Sequence, residues 1–213
     1  YYRCTILLFK YLPLKPHGLS KSRLTAWRQC PKRLWLQIHR PDLVEVPAET
    51  EQRFMVGYEV GEVAQTLYPG GILIDDESLT DALQRTQHIL QTHPDKPIFE
   101  ATFQHDGLLV RCDVLIPTTR GFRMVEVKSS ASVKPYHIDD CAVQAWVLQQ
   151  NQLPLASIEL AHIDTGFVYA GDGQYHGLFH HEKLDGEILP LLDEIPDWIA
   201  DARQVLANDA PDI

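Results

Sequence analysis

The sequence predicts an α/β fold, a mixed β-sheet with helices packed against it, and three observations carry that prediction. Residues 97–130 hold three consecutive apolar, strand-like runs, opening on PIFEATFQ and closing on MVEVKSS. Helical patterns flank them, SLTDALQRTQHILQTHP before and PYHIDDCAVQAWVLQQ after. A further strand-like run, SIELAHI, follows the second helix, and a strand reached through a crossover helix commonly pairs in parallel.

The elements follow in order. SKSRLTAWRQC has a cap candidate at Ser20 or Ser22, with Leu24 and Trp27 on one helical face and Arg23 and Arg28 outward. The helix is expected to stop near Cys30, because Pro31 disfavours helical geometry in the residue before it. PKRLWLQIHR then starts a second short helix with Pro31 in its first turn, where the missing donor does no harm. Residues 49–67 read as a helix with Phe54, Tyr58 and the Val63/Ala64 pair inward, carrying Glu59 and Glu62 and ending at the PGG turn. The helix capped near Ser78 or Thr80 offers Leu79, Leu83 and Leu90 to the core. In PYHIDDCAVQAWVLQQ, the residues Val143, Trp146, Val147 and Gln150 line one broad face. GFVYAGDGQYHGLF reads as strand folding back at Gly171-Asp172-Gly173, and the acidic tail from Asp185 as mostly helical.

Composition bounds the function classes. With 213 residues, 45% of them hydrophobic, the chain reads as a soluble globular protein without repeats or low-complexity tracts. Its longest apolar run, TILLFKYLPL, is broken by Lys10 and Pro13, too short for a bilayer and not followed by a secretory cleavage site, so no membrane association is expected. The chain opens on Tyr1 without an initiator Met, and residues 1–18 are taken as an uncertain extension to a domain spanning 19–213. The net charge of −10 conceals an asymmetry: residues 1–40 hold nine Lys or Arg and no Asp or Glu. Two readings of that block stand. Lys21, Arg23, Arg28, Lys32 and Arg33, interleaved with Trp27, Trp35 and His39, suit nucleic-acid backbone neutralisation with base stacking; alternatively, they edge amphipathic helices whose tryptophans are core.

The chemistry-bearing segment is LLVRCDVLIPTTRGFRMVEVKSS, a β-hairpin turning at Thr118–Gly121. If Pro117 lies opposite Phe122, the ladder places Asp113 opposite Glu126, with Cβ atoms roughly 4.5–5.5 Å apart, and two carboxylates at that spacing repel unless a cation intervenes. Lys128 shares the face of Glu126 because strand side chains alternate. Two acids suffice for a hard divalent ion that retains waters and meets substrate phosphate, with the lysine orienting or deprotonating water and offsetting phosphate charge. The alternative is a surface hairpin whose exposed ion pairs are worth about 0–1 kcal/mol; the apolar residues on both sides of Glu126 argue against it. His180 and His181, being adjacent, point to opposite strand faces, and His162 and His176 lack a partner at metal-ligand spacing, so none is assigned a metal role.

D113…E126-V-K128, preceded by the helix with Glu62 and followed by the helix with Gln144, resembles the PD-(D/E)XK nuclease superfamily, in particular the RecB-type branch that includes the CRISPR adaptation exonucleases. QCPKRLWL matches the branch's amino-terminal Cys-Pro with basic and aromatic neighbours, and LSKSRLTAWRQCPKRLWLQIHRPDL with GYEVGEVAQTLYPGG is similar to an uncharacterised bacterial family of that branch. The resemblance implies a restriction-endonuclease-like mixed sheet flanked by helices, and a Mg²⁺- or Mn²⁺-dependent hydrolase of DNA. It implies Asp113 and Glu126 as metal ligands, Lys128 as the catalytic lysine and Gln144 as a positioning group. Two departures stand out. Where the branch often has the histidine of a G-x-x-V-H helix, this chain has Gly61, then Glu62, which either supplies the ligand or is a solvated helix charge; and QAWVL offers Trp146 where a tyrosine often follows the glutamine. These departures keep open a catalytically inactive nucleic-acid-binding module on the same fold.

The four cysteines, at 4, 30, 112 and 141, form no C-x-x-C pair and no disulfide framework, so a reducing cytoplasm is expected. Cys112 and Cys141 read as inert core thiols. In the resembled branch a cysteine placed like Cys30 often joins three carboxy-terminal cysteines around a 4Fe-4S cluster. This chain has none after Cys141, which leads to the expectation of a truncated domain with Cys30 either an orphaned ligand or a buried structural cysteine.

Overall fold

The computed structural model describes residues 18–43 and 48–212. The run TILLFKYLPL, Cys4 and nearly all of the expected extension lie outside the described residues. In chain order the elements are β1 (Leu19–Ser20), α1 (Lys21–Gln29), α2 (Pro31–His39), α3 (Ala48–Thr66), β2 (Ile72–Leu73), α4 (Leu79–Thr92), β3 (Ile98–His105), β4 (Leu108–Thr118), β5 (Gly121–Lys128), α5 (Pro135–Gln150), β6 (Leu155–Ile163), β7 (Phe179–Lys183), α6 (Asp185–Ile188) and α7 (Ile195–Ala207). Short 3-10 turns lie at Pro41–Leu43 and Leu189–Glu194. The strands form one seven-stranded mixed sheet in the order β2-β3-β4-β5-β6-β7, with β1 on β4. The α/β expectation holds, including the antiparallel β4–β5 hairpin and the parallel β5–β6 pair joined by α5. Among the described residues no helix is long and apolar enough to cross a membrane.

The local signals explain most boundaries. Ser20 caps α1 by accepting from Arg23 N, Cys30 ends it, and Pro31 occupies the first turn of α2. Ser78 caps α4 by accepting from Asp81 N. Helix α5 is buried on every side through 140–148, where Cys141, Ala142, Val143, Ala145, Trp146, Val147 and Leu148 are apolar and the two polar residues, Asp140 and Gln144, are buried with them. It packs on the sheet beneath α1, α6 and α7. Leu108, Val110, Cys112, Leu115 and Met124 belong to this larger core; Phe99, Val114, Val125 and Ala161 form a smaller one on the opposite face.

Several expectations are corrected. Gln150 is exposed. On α4 the inward positions are Ala82, Thr86 and Ile89, with Leu90 at their margin, since Thr86 Oγ1 accepts from Thr102 N of β3 at 3.0 Å and fixes the helix phase. Phe54 and Tyr58 of α3 are exposed, and burial on that helix falls at Ala64. The 166–178 stretch forms no hairpin: Asp172, Gly171, Gly173 and Gly177 adopt positive φ, the rings of Tyr169 and Tyr175 stack at 5.0 Å, and Val168 is 84% exposed.

One irregularity positions the site. On β4, Cys112 and Leu115 both face the larger core although three residues apart, while Val114 faces the smaller one, so the alternation of two slips at Asp113. Strand β3 slips alongside, at Glu100, whose φ of 55° lies in the left-handed region. The β4–β5 ladder ends at Val114↔Val125, and the first residues of β4 pair instead with β1, Leu19↔Leu108. Since β3 occupies the other edge of β4 throughout, β1 and β5 share one edge and leave a fork between them.

Gly121 closes the β4–β5 turn with φ 122°, and a Cβ there would stand 2.3 Å from the Pro154 carbonyl oxygen, which accepts from Phe122 N. Gly121→Ala is therefore expected to destabilise the fold by about 2 kcal/mol or more, read as a lowered urea midpoint. A change below about 0.5 kcal/mol would show that the Pro154 loop gives way freely.

Candidate active site

The observed register runs from Thr118↔Gly121 to Val114↔Val125 and stops one pair short of the Asp113–Glu126 pairing that the hairpin sequence predicts. The backbone has already parted there, and the Asp113 carboxylate bridges the gap: its Oδ2 accepts from Val127 N at 2.8 Å. This fixes Asp113 beside β5 without a ladder bond. Glu126 is 2% exposed, and both its oxygens are occupied. Oε1 accepts from Lys128 Nζ at 2.6 Å and Lys21 Nζ at 2.9 Å, and Oε2 from Gln144 Nε2 at 2.7 Å. Lys128 also reaches Asp140 Oδ2 at 2.7 Å, and Lys21 the same oxygen at 3.6 Å.

The electrostatics follow from this packing. Burial opposes the Glu126 charge, yet the Lys128 and Lys21 ammoniums outweigh it and hold the carboxyl well below the usual glutamate range. Burial likewise opposes both ammoniums. Asp140, Glu126 and Asp113 hold Lys21 well above an ordinary lysine, and Glu126 and Asp140 raise Lys128. Lys128 is thus a cation and a donor in this arrangement, not a base.

The sequence named Asp113, Glu126, Lys128 and Gln144, and the structure brings these four together. Lys21, expected on a nucleic-acid face, joins them because β1 delivers the start of α1 into the fork. Asp140 was missed; its signal is the spacing to Gln144, one helical turn, which places both on one face of α5. Glu100 was missed too. The pairs Phe99↔Val114 and Ala101↔Cys112 set it level with Asp113 on the next strand. Its left-handed backbone stores strain of roughly 1–3 kcal/mol, a feature that clusters at functional sites.

Other candidates fall elsewhere. Glu62 is exposed and lines a groove of about 500 Å³ with Glu59, Val63, Ile163 and Tyr175, beside α3. Arg23 donates to Gly18 O; Arg28 pairs with Asp139 at 3.2 Å and lies over the Trp198 ring at 3.9 Å. Arg33, exposed on α2, bonds Gln29, and Lys32 is half-buried. Cys30 is a free, half-buried thiol between α1 and α2. Cys112 and Cys141 are fully buried, and burial pushes their thiols up, so neither is placed to serve as a thiolate ligand beside it.

His137, on the first turn of α5, is buried, and its Nδ1 accepts from Lys134 N at 3.2 Å, which requires a neutral ring. Burial, with the Lys128 ammonium adding to it, lowers its pKa to about 4. The unfolded chain, with an ordinary histidine, binds the extra proton first as pH falls, so this contribution to stability is present above pH ~6.5 and is lost between there and about 4. Replacing it with glutamine is expected to flatten the loss of urea stability across that window by roughly 1–3 kcal/mol relative to the parent chain. Parallel pH profiles of the two proteins would exclude this assignment.

No protein-family model matches the chain, and no curated protein matches it. Among solved structures, it is similar to an alkaline exonuclease from Laribacter hongkongensis, at 12% identity and TM-score 0.49 over 91% of each chain. It is also similar to the protein SSO0001, at 12% identity and TM-score 0.41 over 97% of this chain and 85% of that one.

Proposed function

We propose that residues 19–213 form a PD-(D/E)XK-type nuclease domain that hydrolyses DNA phosphodiester bonds with Mg²⁺ or Mn²⁺. The observation that carries the reading is the convergence, at a strand fork, of Asp113 and Glu126 with a lysine and a glutamine that both hold the Glu126 carboxylate. The donor set fits a hard divalent ion: carboxylate oxygens only, from Asp113 and Glu126, with Glu100 level with Asp113, and such ions need one or two carboxylates besides water and phosphate. Bound there, the ion would neutralise phosphoryl charge and activate water.

The protein's own groups do the positioning. The Val127 amide fixes the Asp113 carboxylate, and the Gln144 amide fixes Glu126. Gln144 Oε1 is buried and accepts no hydrogen bond among the described residues, so it can receive one from a water at the site. Lys128, anchored between Glu126 and Asp140, presents a cation to a phosphate oxygen as negative charge develops. Lys32 and Arg33 of α2, and Arg23 beside them on α1, are the basic groups that would meet the DNA backbone.

One observation favours the inactive nucleic-acid-binding module: Lys21 Nζ, 2.9 Å from Glu126 Oε1, already supplies a cation to that carboxylate. Incubation of single- and double-stranded DNA with Mg²⁺, Mn²⁺ or EDTA separates the two readings. Cleavage is expected with either ion and not with EDTA, and to fall at least about 100-fold in Asp113→Asn and Lys128→Met. Salt-sensitive DNA binding without cleavage would establish the module instead, and cleavage unchanged in both variants would sink the mechanism.

A further inference from the structure

The adjacent His180 and His181 do point to opposite faces of β7, as their spacing requires. His181 Nδ1 meets Glu159 on one face at 3.3 Å. On the other, His180 has a partner that only the fold supplies: it pairs with His162 of β6, the two rings 5.2 Å apart. Glu182, two residues along β7, shares that face, and its Oε1 lies 2.9 Å from His162 Nε2. One ligand atom from each of His162, His180 and Glu182 lies within 4.8 Å of the others.

We propose that these three residues form a metal site separate from the Asp113–Glu126 pair, taking a first-row transition ion of the Zn²⁺ class. The orientation of His162 supports this assignment. Its Nδ1 lies 3.2 Å from the Ile163 carbonyl oxygen, which can only accept, so Nδ1 carries the proton there. In a neutral ring Nε2 then has a lone pair, aimed at a carboxylate oxygen, and two acceptors face each other unless a cation lies between them. A ligating histidine usually has this arrangement, its second nitrogen donating to a backbone carbonyl. Zn²⁺ bonds imidazole nitrogen and carboxylate oxygen at about 2.0–2.2 Å, so tetrahedral ligands stand roughly 3.3–3.5 Å apart. Reaching that from 2.9 Å needs only a small outward shift of Glu182, whose side chain is 43% exposed. His180, also exposed, completes a two-histidine, one-carboxylate set with a position open to water.

The chemistry separates the two sites. Imidazole-containing sets favour Zn²⁺ over Mg²⁺, whereas oxygen-only sets suit Mg²⁺ or Mn²⁺. They are also neighbours, since Lys128 on β5 pairs in register with His162 on the next strand.

The test titrates Zn²⁺ calorimetrically into the tag-free, EDTA-stripped and dialysed chain, with Co²⁺ absorption reporting geometry. One Zn²⁺ per chain is expected, with tetrahedral Co²⁺ bands. His180→Ala and Glu182→Gln, both at accessible positions, should each weaken it by at least about 10-fold. Absence of stoichiometric Zn²⁺ binding would leave His162 and Glu182 as a hydrogen-bonded pair and overturn the proposal. So would binding that survives both β7 variants. Because no measurement involves DNA, the result stands apart from whether the Asp113–Glu126 site cleaves it.

Discussion

Removing a carboxylate as buried as Glu126 from water costs several kcal/mol unless cations and donors come with it, and that requirement governs the elements around the fork. One cation is local, Lys128, two residues along the same strand. The second is remote: β1 pairs with the free edge of β4 and thereby carries Lys21, the first residue of α1, to the same oxygen. The amide comes from α5, the helix that the parallel β5–β6 connection lays across the larger core. Asp140, from that helix, then balances both lysines. The amino-terminal helices, the central strands and the crossover helix are thus tied together at one buried charge.

The same accounting alters the meaning of the basic amino-terminal block. Much of that charge, where the structure describes it, serves internally: Lys21 on Glu126 and Asp140, Arg28 on Asp139 and over Trp198. Trp35 donates to Asn208 O, and the His39 ring bonds Leu206 O, so α2 is fastened to the end of α7. The aromatic residues interleaved with the bases therefore serve substantially as structure, which favours the amphipathic-helix reading for Trp35. A basic α1–α2 segment set on an acidic body is what an intramolecular clamp requires, as well as what a DNA-binding arm would show.

What the sequence disclosed and what it hid divide along sequence distance. Turn chemistry and alternation predicted the hairpin register from Thr118↔Gly121 to Val114↔Val125, which lies within one supersecondary unit, but not the slip at Asp113 that keeps the next pair, Asp113 opposite Glu126, from forming. Cap and breaker residues at Ser20, Pro31 and Ser78 marked helix ends by mechanisms confined to a few residues. The phase of α4 failed because Leu79, Leu83 and Leu90 outscore Thr86 on hydrophobicity, whereas a hydrogen bond from β3 chose Thr86. Lys21 at Glu126, and His162 opposite His180, depend on strand pairings between distant segments, which no local pattern encodes. Asp140 was the exception, within reach of the sequence through its helical spacing to Gln144.

The phase slip explains why the site lies where it does. An unbroken β4–β5 ladder would keep Val127 N in backbone pairing and would set Asp113 directly against Glu126, two carboxylates at repelling distance. Parting the strands after Val114↔Val125 removes that clash, at the expense of a backbone donor that needs a new acceptor. Asp113 supplies it, so the carboxylate is held by the donor that its own displacement released. The matching slip at Glu100 keeps β3 paired with β4 on both sides of the irregularity, Phe99↔Val114 before and Ala101↔Cys112 after, and concentrates the distortion in one left-handed residue. The fork is therefore a paired adjustment of two adjacent strands rather than a frayed edge, and its hydrogen bonds hold carboxylates from β4 and β5 beside Lys128.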